Sequence, residues 1–470
     1  MNVKRKIEVE DFLCLLVIIC PILDIVSFVF RNVFDTSISP STFLRPIIPI
    51  VVMIYLFFKN DKKFKIYTFG VGIIYLVYGL IHLYLFEKLH TGSSYSNVVH
   101  EAQYIVNYSF MILNLFVFIY VFKDRDTNKL KNSVIISMYI YIISIFISIL
   151  TNTSSSTYIE GMGKKGWFES GNSIGTILIL SLFIYMALLS IKKYRKVIIP
   201  LIILLGIFLT MLLGTRVGLY GFILVLIVYM VVEIIYKLIA KAKINKKVIA
   251  LCVFGVCAVI LVIVAVGSTT LQRRKHLESI EGNIIDENIN AEAHVTGSIL
   301  EIRNEIIDGT LEEGYMSDAE KKSILELYDI CNNMQITNND QRIQQLIYNA
   351  MLVKNQKNPL AIVFGNGYLN NFRELVMEME IPAFLFNFGL IGFTLYFVPF
   401  LLIFVYGLYM GIKNIKKIDQ EYMMLILGAG FVFAISFFAG YTFFNSSSMI
   451  VIVVINALLV NKIINLKKEL

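Results

Sequence analysis

Three carboxylates stand just ahead of a long apolar run near the end of the chain, in Glu374-Leu-Val-Met-Glu378-Met-Glu380-Ile-Pro382. If this stretch is helical, Glu374 and Glu378 share a face at i,i+4 spacing, while Glu380 points nearly opposite. Pro382 disfavours helix at Ile381, so a helix is expected to end there. A carboxylate beside low-dielectric lipid is suited to take a proton as a general base. The same pattern fits a polar rim whose acids pair with Arg373 or nearby lysines, and the residues alone leave both readings open.

Two arginines stand out by their surroundings. Arg216 closes the triplet Gly214-Thr215-Arg216 between two apolar stretches, and Arg45 precedes Pro46 at the start of another. A guanidinium presents a planar fork that matches phosphate or carboxylate bidentately; a charge at a membrane face also reaches water by snorkelling. The single tryptophan, Trp167, lies in the segment 161–172, where it serves as an interfacial anchor or stacks on a sugar ring. Asp24, inside the first apolar run, is a functional candidate by position, or is held by polar helix packing. The five histidines show no metal-ligand spacing and no glycine-rich phosphate loop follows a strand, so neither a metal nor a cofactor is expected.

The elements that must position these residues follow from composition. The 470 residues are 57% hydrophobic and only 16% charged, against about 25% charged in soluble domains, and mean hydropathy is +0.72. A soluble enzyme, a nucleic-acid reader and a disordered scaffold are excluded, so nucleic acid is no partner. The chain is expected to be an all-α polytopic membrane protein. Cys14, Cys20, Cys252 and Cys257 lie in apolar runs and Cys331 has no obvious mate, so the five cysteines are expected to pack as small hydrophobes.

Apolar runs long enough to span lie near 12–30, 43–58, 66–86, 105–122, 133–150, 173–190, 198–213, 217–236, 248–267, 384–410, 422–440 and 446–460, twelve in all. Residues 198–236 have basic flanks on both sides, which places both flanks inside and makes the run a hairpin with Arg216 at its outer tip. With both termini inside, 26 of the 42 basic residues fall in the inner segments, six in short outer segments and ten in one long outer loop. The basic N-terminus followed by an apolar run has no small-residue cleavage site after Phe30, so a retained first helix is expected.

The division is therefore expected to be helices 1–9 in residues 1–267, an extracellular subdomain in 268–383 and helices 10–12 in 384–470. The loop carries 18 acidic residues against ten basic ones. Ser298 with Glu301 and Ser317 with Glu320 have capping-box spacing, so a small helical cap over the outer face is expected. Arginine accounts for three of the 26 inner basic residues but eight of the 16 outer ones. Membrane sorting is indifferent to Arg against Lys, so this asymmetry points to an anionic ligand outside; pairing with the acidic loop accounts for Arg273, Arg274 and Arg303 at least as well.

These pieces, in this order, resemble the O-antigen ligase and polymerase superfamily, and within it the capsular or exopolysaccharide polymerases of Gram-positive bacteria. The likeness covers most of the chain. Gly214-Thr215-Arg216 resembles the family's basic hairpin tip, Gly166-Trp167-Phe168 with Asn172 its Gly-Trp-Phe…Asn pattern, and Gly365-Asn366-Gly367 its Gly-x-Gly at the loop's end. Glu378-Met-Glu380 followed by Phe388-Gly389-Leu-Ile-Gly392 resembles the acidic or His-Asn element and the Gly-x-x-Gly of the next helix. Glu378 stands where the ligases carry a His, and Glu380 where the branch usually has Asp.

The resemblance implies an inverting, metal-independent glycosyltransferase moving a glycan from undecaprenyl diphosphate to a sugar hydroxyl of a lipid-linked repeat unit on the outer face. Arg216, with Arg45 or Arg342, would bind the diphosphate; Glu378, or Glu380 in its place, would be the catalytic base; and Trp167 is a candidate sugar contact. The implied partners are the lipid-linked oligosaccharide, membrane lipid and other polysaccharide-assembly proteins. A ligase acting on another acceptor and a lipid-linked oligosaccharide flippase are the alternatives.

Overall fold

The computed structural model describes residues 8–36, 41–93, 97–158, 161–190, 198–239, 249–250, 252–257, 260, 268–276, 298–336, 340–368, 375–440 and 442–469. The chain is an all-α polytopic membrane protein. Its bundle helices are α1 (Val9–Asn32), α2 (Ser41–Lys59), α3 (Lys62–Leu89), α4 (Val98–Phe122), α5 (Asn128–Leu150), α6 (Gly171–Ala187), α7 (Ile198–Gly206, continued by a π-helical turn Ile207–Leu212) and α8 (Arg216–Ile239). Four more close the chain: α13 (Glu380–Tyr396), α14 (Val398–Lys413), α15 (Gln420–Phe438) and α16 (Ser446–Lys468). A two-stranded ribbon, Ser155–Ser156 with Lys164–Gly166, is the one sheet among the described residues.

Seven of these helices are long and apolar enough to cross a membrane, and the bent pair α13–α14 makes eight. Of the other runs expected to span, α2 carries Pro46 and Pro49, α6 and α7 are short, and 248–267 lies largely outside the described residues. Polar side chains begin several helices by accepting otherwise orphaned amides: Asp61 for α3, Asn97 for α4, Ser170 for α6, Asp419 for α15 and Asn445 for α16. The core is layered around α16, whose residues Met449–Leu459 are all buried against α4, α6, α14 and α15. α6 is buried on every side, with Gly175 against the Leu213 side chain and the Gly218 backbone. α3 is peripheral: Ile66, Tyr67, Phe69, Leu76 and Leu80 are exposed, the surface expected of a lipid-facing helix.

One end of the bundle is tied by ion pairs, including Lys131–Glu421 at 2.9 Å, Lys462–Glu421 at 2.8 Å and Lys129–Glu10 at 2.6 Å. The other end carries the cap: α9 (Ser298–Asp308), α10 (Asp318–Asn333), α11 (Gln341–Gln356) and α12 (Leu360–Phe364). The Ser317–Glu320 capping box forms and starts α10. α10 and α11 run antiparallel, with Asn355 donating to Ser323 Oγ (3.1 Å) and Lys354 pairing with Glu326 (3.2 Å). Ile324, Leu327, Cys331, Tyr348 and Leu352 fill the space between them, a small core separate from the bundle's. Cys331 is thus a packed thiol, as are Cys14, Cys20 and Cys252, whereas Cys257 is exposed.

The segment expected to be a helix ending at Pro382 is organised the other way round. Residues 377–379 are not helical, and α13 begins at Glu380 with Pro382 in its first turn. In the first turn proline's missing N–H is no loss and its fixed φ suits helix, so it starts this element instead of stopping one. Glu374 lies outside the described residues, and its expected pairing face with Glu378 goes with it.

α13 is broken at Gly389, whose φ of 67° and ψ of −174° only glycine adopts readily. The break frees carbonyls that the Gly365–Gly367 turn satisfies: the Asn366 amide donates to Phe386 O (2.9 Å) and the Gly367 amide to Asn387 O (2.8 Å), while Tyr78 Oη donates to Phe388 O (2.7 Å). A Cβ on Gly365 would meet Asn387 and Gly389 backbone atoms, the latter at 2.6 Å. The two glycine motifs are therefore halves of one joint, which docks the end of the cap on a helix otherwise unable to bury unpaired carbonyls.

Candidate functional site

The cap's α11 meets the non-helical segment before α13 at Glu378. Arg342 donates from Nε and Nη2 to Glu378 Oε2, each at 3.3 Å, and one turn on, Gln345 Oε1 accepts the Glu378 amide at 2.9 Å. Gly440 allows the close approach from the other side: a Cβ there would lie 2.8 Å from the Glu378 carbonyl oxygen. The pair stays accessible, with 41% of the Glu378 side chain and 38% of Arg342 exposed. The structure thus joins two residues that the sequence nominated separately, one for proton transfer and one for anion binding.

Glu380, two residues on, is placed quite differently. It is fully buried, and its carboxylate accepts the amides of Thr442 (2.6 Å), Phe443 (2.9 Å) and Phe444 (2.9 Å). A buried charge needs several donors to offset its desolvation, and three converging N–H groups supply them. The carboxylate acts as the anchor of the turn that leads into α16.

That turn delivers Ser446 and Ser447 to a third polar group. Arg45 Nη2 pairs with Asp24 Oδ1, and Arg45 Nη1 donates to Ser446 Oγ. Asp24 also accepts from Ser447 Oγ (2.8 Å) and from Tyr141 Oη (2.7 Å). Arg45 and Asp24 are mostly buried, at 15% and 17% exposure, and Arg45 Nε is buried with no bond. Arg45 is therefore held by an acid of the first helix, an arrangement that accounts at once for Asp24 and Arg45 near the membrane interior.

Arg216 starts α8 immediately after a turn in which Gly214 has φ of 79°. Thr215 Oγ1 caps the helix by accepting the Gly218 amide (3.1 Å), while Tyr158 Oη donates to Gly214 O (3.1 Å) and Thr157 Oγ1 to Leu213 O (2.7 Å). The ribbon therefore braces the tip, and Gly163 packs so tightly on it that a Cβ would lie 2.6 Å from Leu213 O. Arg216 itself is exposed and, among the described residues, has no hydrogen bond or ion pair. Gly171 packs on Thr215, and nearby Phe168 packs on Tyr141, whose hydroxyl reaches Asp24 beside Ser447, so the tip lies at the same end of the bundle as the Glu380 turn.

A family model described as O-antigen ligase like membrane protein matches residues 6–469. The chain belongs to this family. No curated protein and no solved structure matches it. Membership places this O-antigen ligase-like protein among membrane proteins that process glycans as ligases or polymerases.

The remaining site residues of this O-antigen ligase-like chain have structural partners. Trp167 is half-buried and its Nε1 donates to Thr153 Oγ1 (2.8 Å). Its neighbour Phe168 packs on Tyr141, ring centroids 5.1 Å apart, and so supports the hydroxyl that reaches Asp24. Arg31 pairs with Glu169, whose carbonyl accepts from Lys165 Nζ (2.8 Å). Burial lowers the Lys165 ammonium's pKa, with Glu169 opposing it. Arg273 and Arg303 lie over the rings of Tyr158 and Tyr328, with guanidinium carbons 3.6 Å and 4.0 Å from the centroids; the acidic stretch 277–297, with which they were expected to pair, lies outside the described residues. Sequence reading passed over His82, Glu101 and His90 and took Glu320 only for its capping-box spacing, yet all four are buried near the Gly365–Gly367 turn. The one local signal was the i, i+8 spacing of the two histidines, which puts them on one face of α3.

Proposed function

We propose that this chain is a polysaccharide polymerase, which transfers a glycan from undecaprenyl diphosphate to a sugar hydroxyl of a lipid-linked repeat unit at the outer membrane face in capsule or exopolysaccharide synthesis. The observation that carries the reading is the accessible Arg342–Glu378 pair at the bundle end where Arg216 is exposed, in a chain matched to the family over residues 6–469. Glu378 takes the proton of the acceptor hydroxyl as its oxygen attacks the anomeric carbon. The bond from that carbon to the diphosphate oxygen breaks, inverting the configuration, and undecaprenyl diphosphate departs with the bonding electrons.

Arg216 receives the diphosphate and stabilises the charge that grows on it. Its exposure, with no partner among the described residues, favours it for this work over Arg45, which Asp24 and Ser446 already engage. Arg342 orients Glu378 and contributes positive charge beside the reacting atoms. Glu380 is assigned to anchoring the 442–444 turn rather than to proton transfer, because both its oxygens are occupied by amides. The chemistry assigned to these residues needs no divalent cation, so transfer is expected to survive removal of Mg²⁺ and Mn²⁺; a strict requirement for either refutes that part of the reading.

The deciding experiment is the size distribution of lipid-linked and surface glycan after deletion of the gene. Single repeat units accumulating on the outer-leaflet lipid establish the polymerase. Full-length chains stranded on lipid make the protein a ligase, and single units trapped on the inner leaflet make it a flippase.

A further inference from the structure

The Gly365–Gly367 turn is gripped by two histidine–carboxylate pairs that stand apart from the Arg342–Glu378 pair. His82, on α3, has Nε2 2.7 Å from Glu101 Oε1 and Nδ1 2.6 Å from the Phe364 carbonyl oxygen, and the other Glu101 oxygen accepts the Tyr368 amide at 2.8 Å. His90, which caps α3, has Nδ1 3.2 Å from Glu320 Oε1 and Nε2 2.8 Å from the Asn366 carbonyl oxygen. The Asn366 side chain is fully buried and neither of its polar atoms is bonded, so this residue is held through its backbone.

Both nitrogens of His90 are thus occupied, one on Glu320 of the cap and one on the backbone of the turn, so the ring bridges the two. Burial works to raise the Glu320 carboxyl's pKa, but hydrogen bonds from His90 and from the Ser317 amide and hydroxyl outweigh it and hold the group below its ordinary value. Tyr348 of α11 also neighbours Glu320, and the Phe86 ring packs on His90.

We propose that His90 and Glu320 are positioning residues for the transfer reaction: their buried hydrogen-bonded pair pins the α10–α11 hairpin to the Gly365–Gly367 turn and so fixes Arg342 against Glu378. The assignment rests on the functional reading above. Glu320 lies in the first turn of α10, and the Asn355–Ser323 bond sets the C-terminal end of α11 beside it. Arg342 is at the opposite end of α11, separated from Asn355 by about 20 Å of helix at 1.5 Å per residue. The His90–Glu320 contact holds this hairpin against the turn, and releasing it lets the far end of α11, which carries Arg342, swing away from the bundle. Glu378 then loses the side chain that orients it although no residue near it has changed.

The test uses the full-length protein in lipid nanodiscs, with His90→Gln and Glu320→Gln read by amide hydrogen exchange and by steady-state kinetics with a lipid-linked repeat unit. Exchange protection in residues 342–348 and 376–379 is expected to fall by about tenfold or more, because one partner of a buried pair has been removed. Protection of α16 stays at the wild-type level. The kcat falls about tenfold or more while the KM for the donor stays within about twofold, since Arg216 is untouched. Wild-type protection in those two segments, or lost protection with wild-type kcat, overturns the assignment. If either glutamine variant fails to fold, Glu320→Asp carries the test: it keeps the charge and withdraws it by one methylene, so a smaller loss confined to the same segments is expected, and wild-type protection again overturns the assignment. If the wild-type protein transfers no glycan, the functional reading falls while hydrogen exchange still judges the pin.

Discussion

Glu378 and Glu380 are separated by a single residue, yet Glu380 is sealed against three backbone amides while Glu378 stands half-exposed against Arg342. The intervening Met379 is the N-cap of α13 in extended conformation, and this change of backbone direction turns the two carboxylates to different surroundings. The variants should separate accordingly. Glu378→Gln is expected to abolish transfer with wild-type abundance in the membrane. Glu380→Ala strands three buried amides, each costing about 1–3 kcal/mol, so abundance and thermal stability should fall together. Thermal melting of the purified variants checks both, and a fully stable Glu380→Ala would contradict the anchoring role.

Arg45 and Arg216 should separate in the same way. Asp24→Asn leaves a mostly buried guanidinium without its counter-charge, a change that costs about 3–5 kcal/mol, and Asp24→Asn with Arg45→Met should recover much of it. Arg216→Ala alters an exposed side chain with no partner among the described residues and is expected to change stability by less than about 0.5 kcal/mol while abolishing transfer. Melting temperatures of the four proteins, with a glycan-length assay on Arg216→Ala, test the division. Wild-type polymer length in Arg216→Ala removes it from the diphosphate role.

The joint between the glycine motifs makes a sharper demand. Gly389→Ala forces a side chain into a backbone region that costs about 1–3 kcal/mol by itself, and the new Cβ also overlaps the Val363 and Gly365 backbone. Gly70→Ala on α3, where nothing lies within 4 Å of the added carbon, is the matched control. The expected outcome is a large fall in thermal stability for Gly389→Ala and none for Gly70→Ala.

Acid should loosen the cap before the bundle. Hydrogen bonds from His90 and Ser317, outweighing burial, lower the Glu320 carboxyl's pKa from the 4.5 of the free side chain. A depressed folded-state pKa gives stability that is full above the unfolded value and is lost as pH falls through the folded one. Exchange protection of α10 is therefore expected to be intact at pH 6 and to decline as the pH falls below that ordinary value of 4.5. In Glu320→Gln that acid-dependent loss should be missing from α10; an unchanged profile would show that another group controls it.

Much of this protein is legible one segment at a time. Apolar runs near the length of a bilayer, the Ser317–Glu320 capping box, the Gly214 hairpin tip and the packing of Cys331 all depend on neighbours within a few residues, so spacing alone reveals them. The order of the motifs was enough to point to the family that the match over residues 6–469 establishes. The direction of Pro382 was misread because one proline both ends a preceding helix and starts a following one, and local sequence does not say on which side the chain buries its apolar face.

Only the tertiary structure decided which partner each charge has. Arg45 meets an acid 21 positions away and a serine 401 away, Arg342 meets Glu378 across 36 positions, and His90 reaches Glu320 across 230. A buried charge requires a partner but does not specify which. That choice is made when helices distant in sequence pack together, and it decided that Glu380 is enclosed, that Glu378 and Arg342 stand together at the surface, and that Arg216 is exposed.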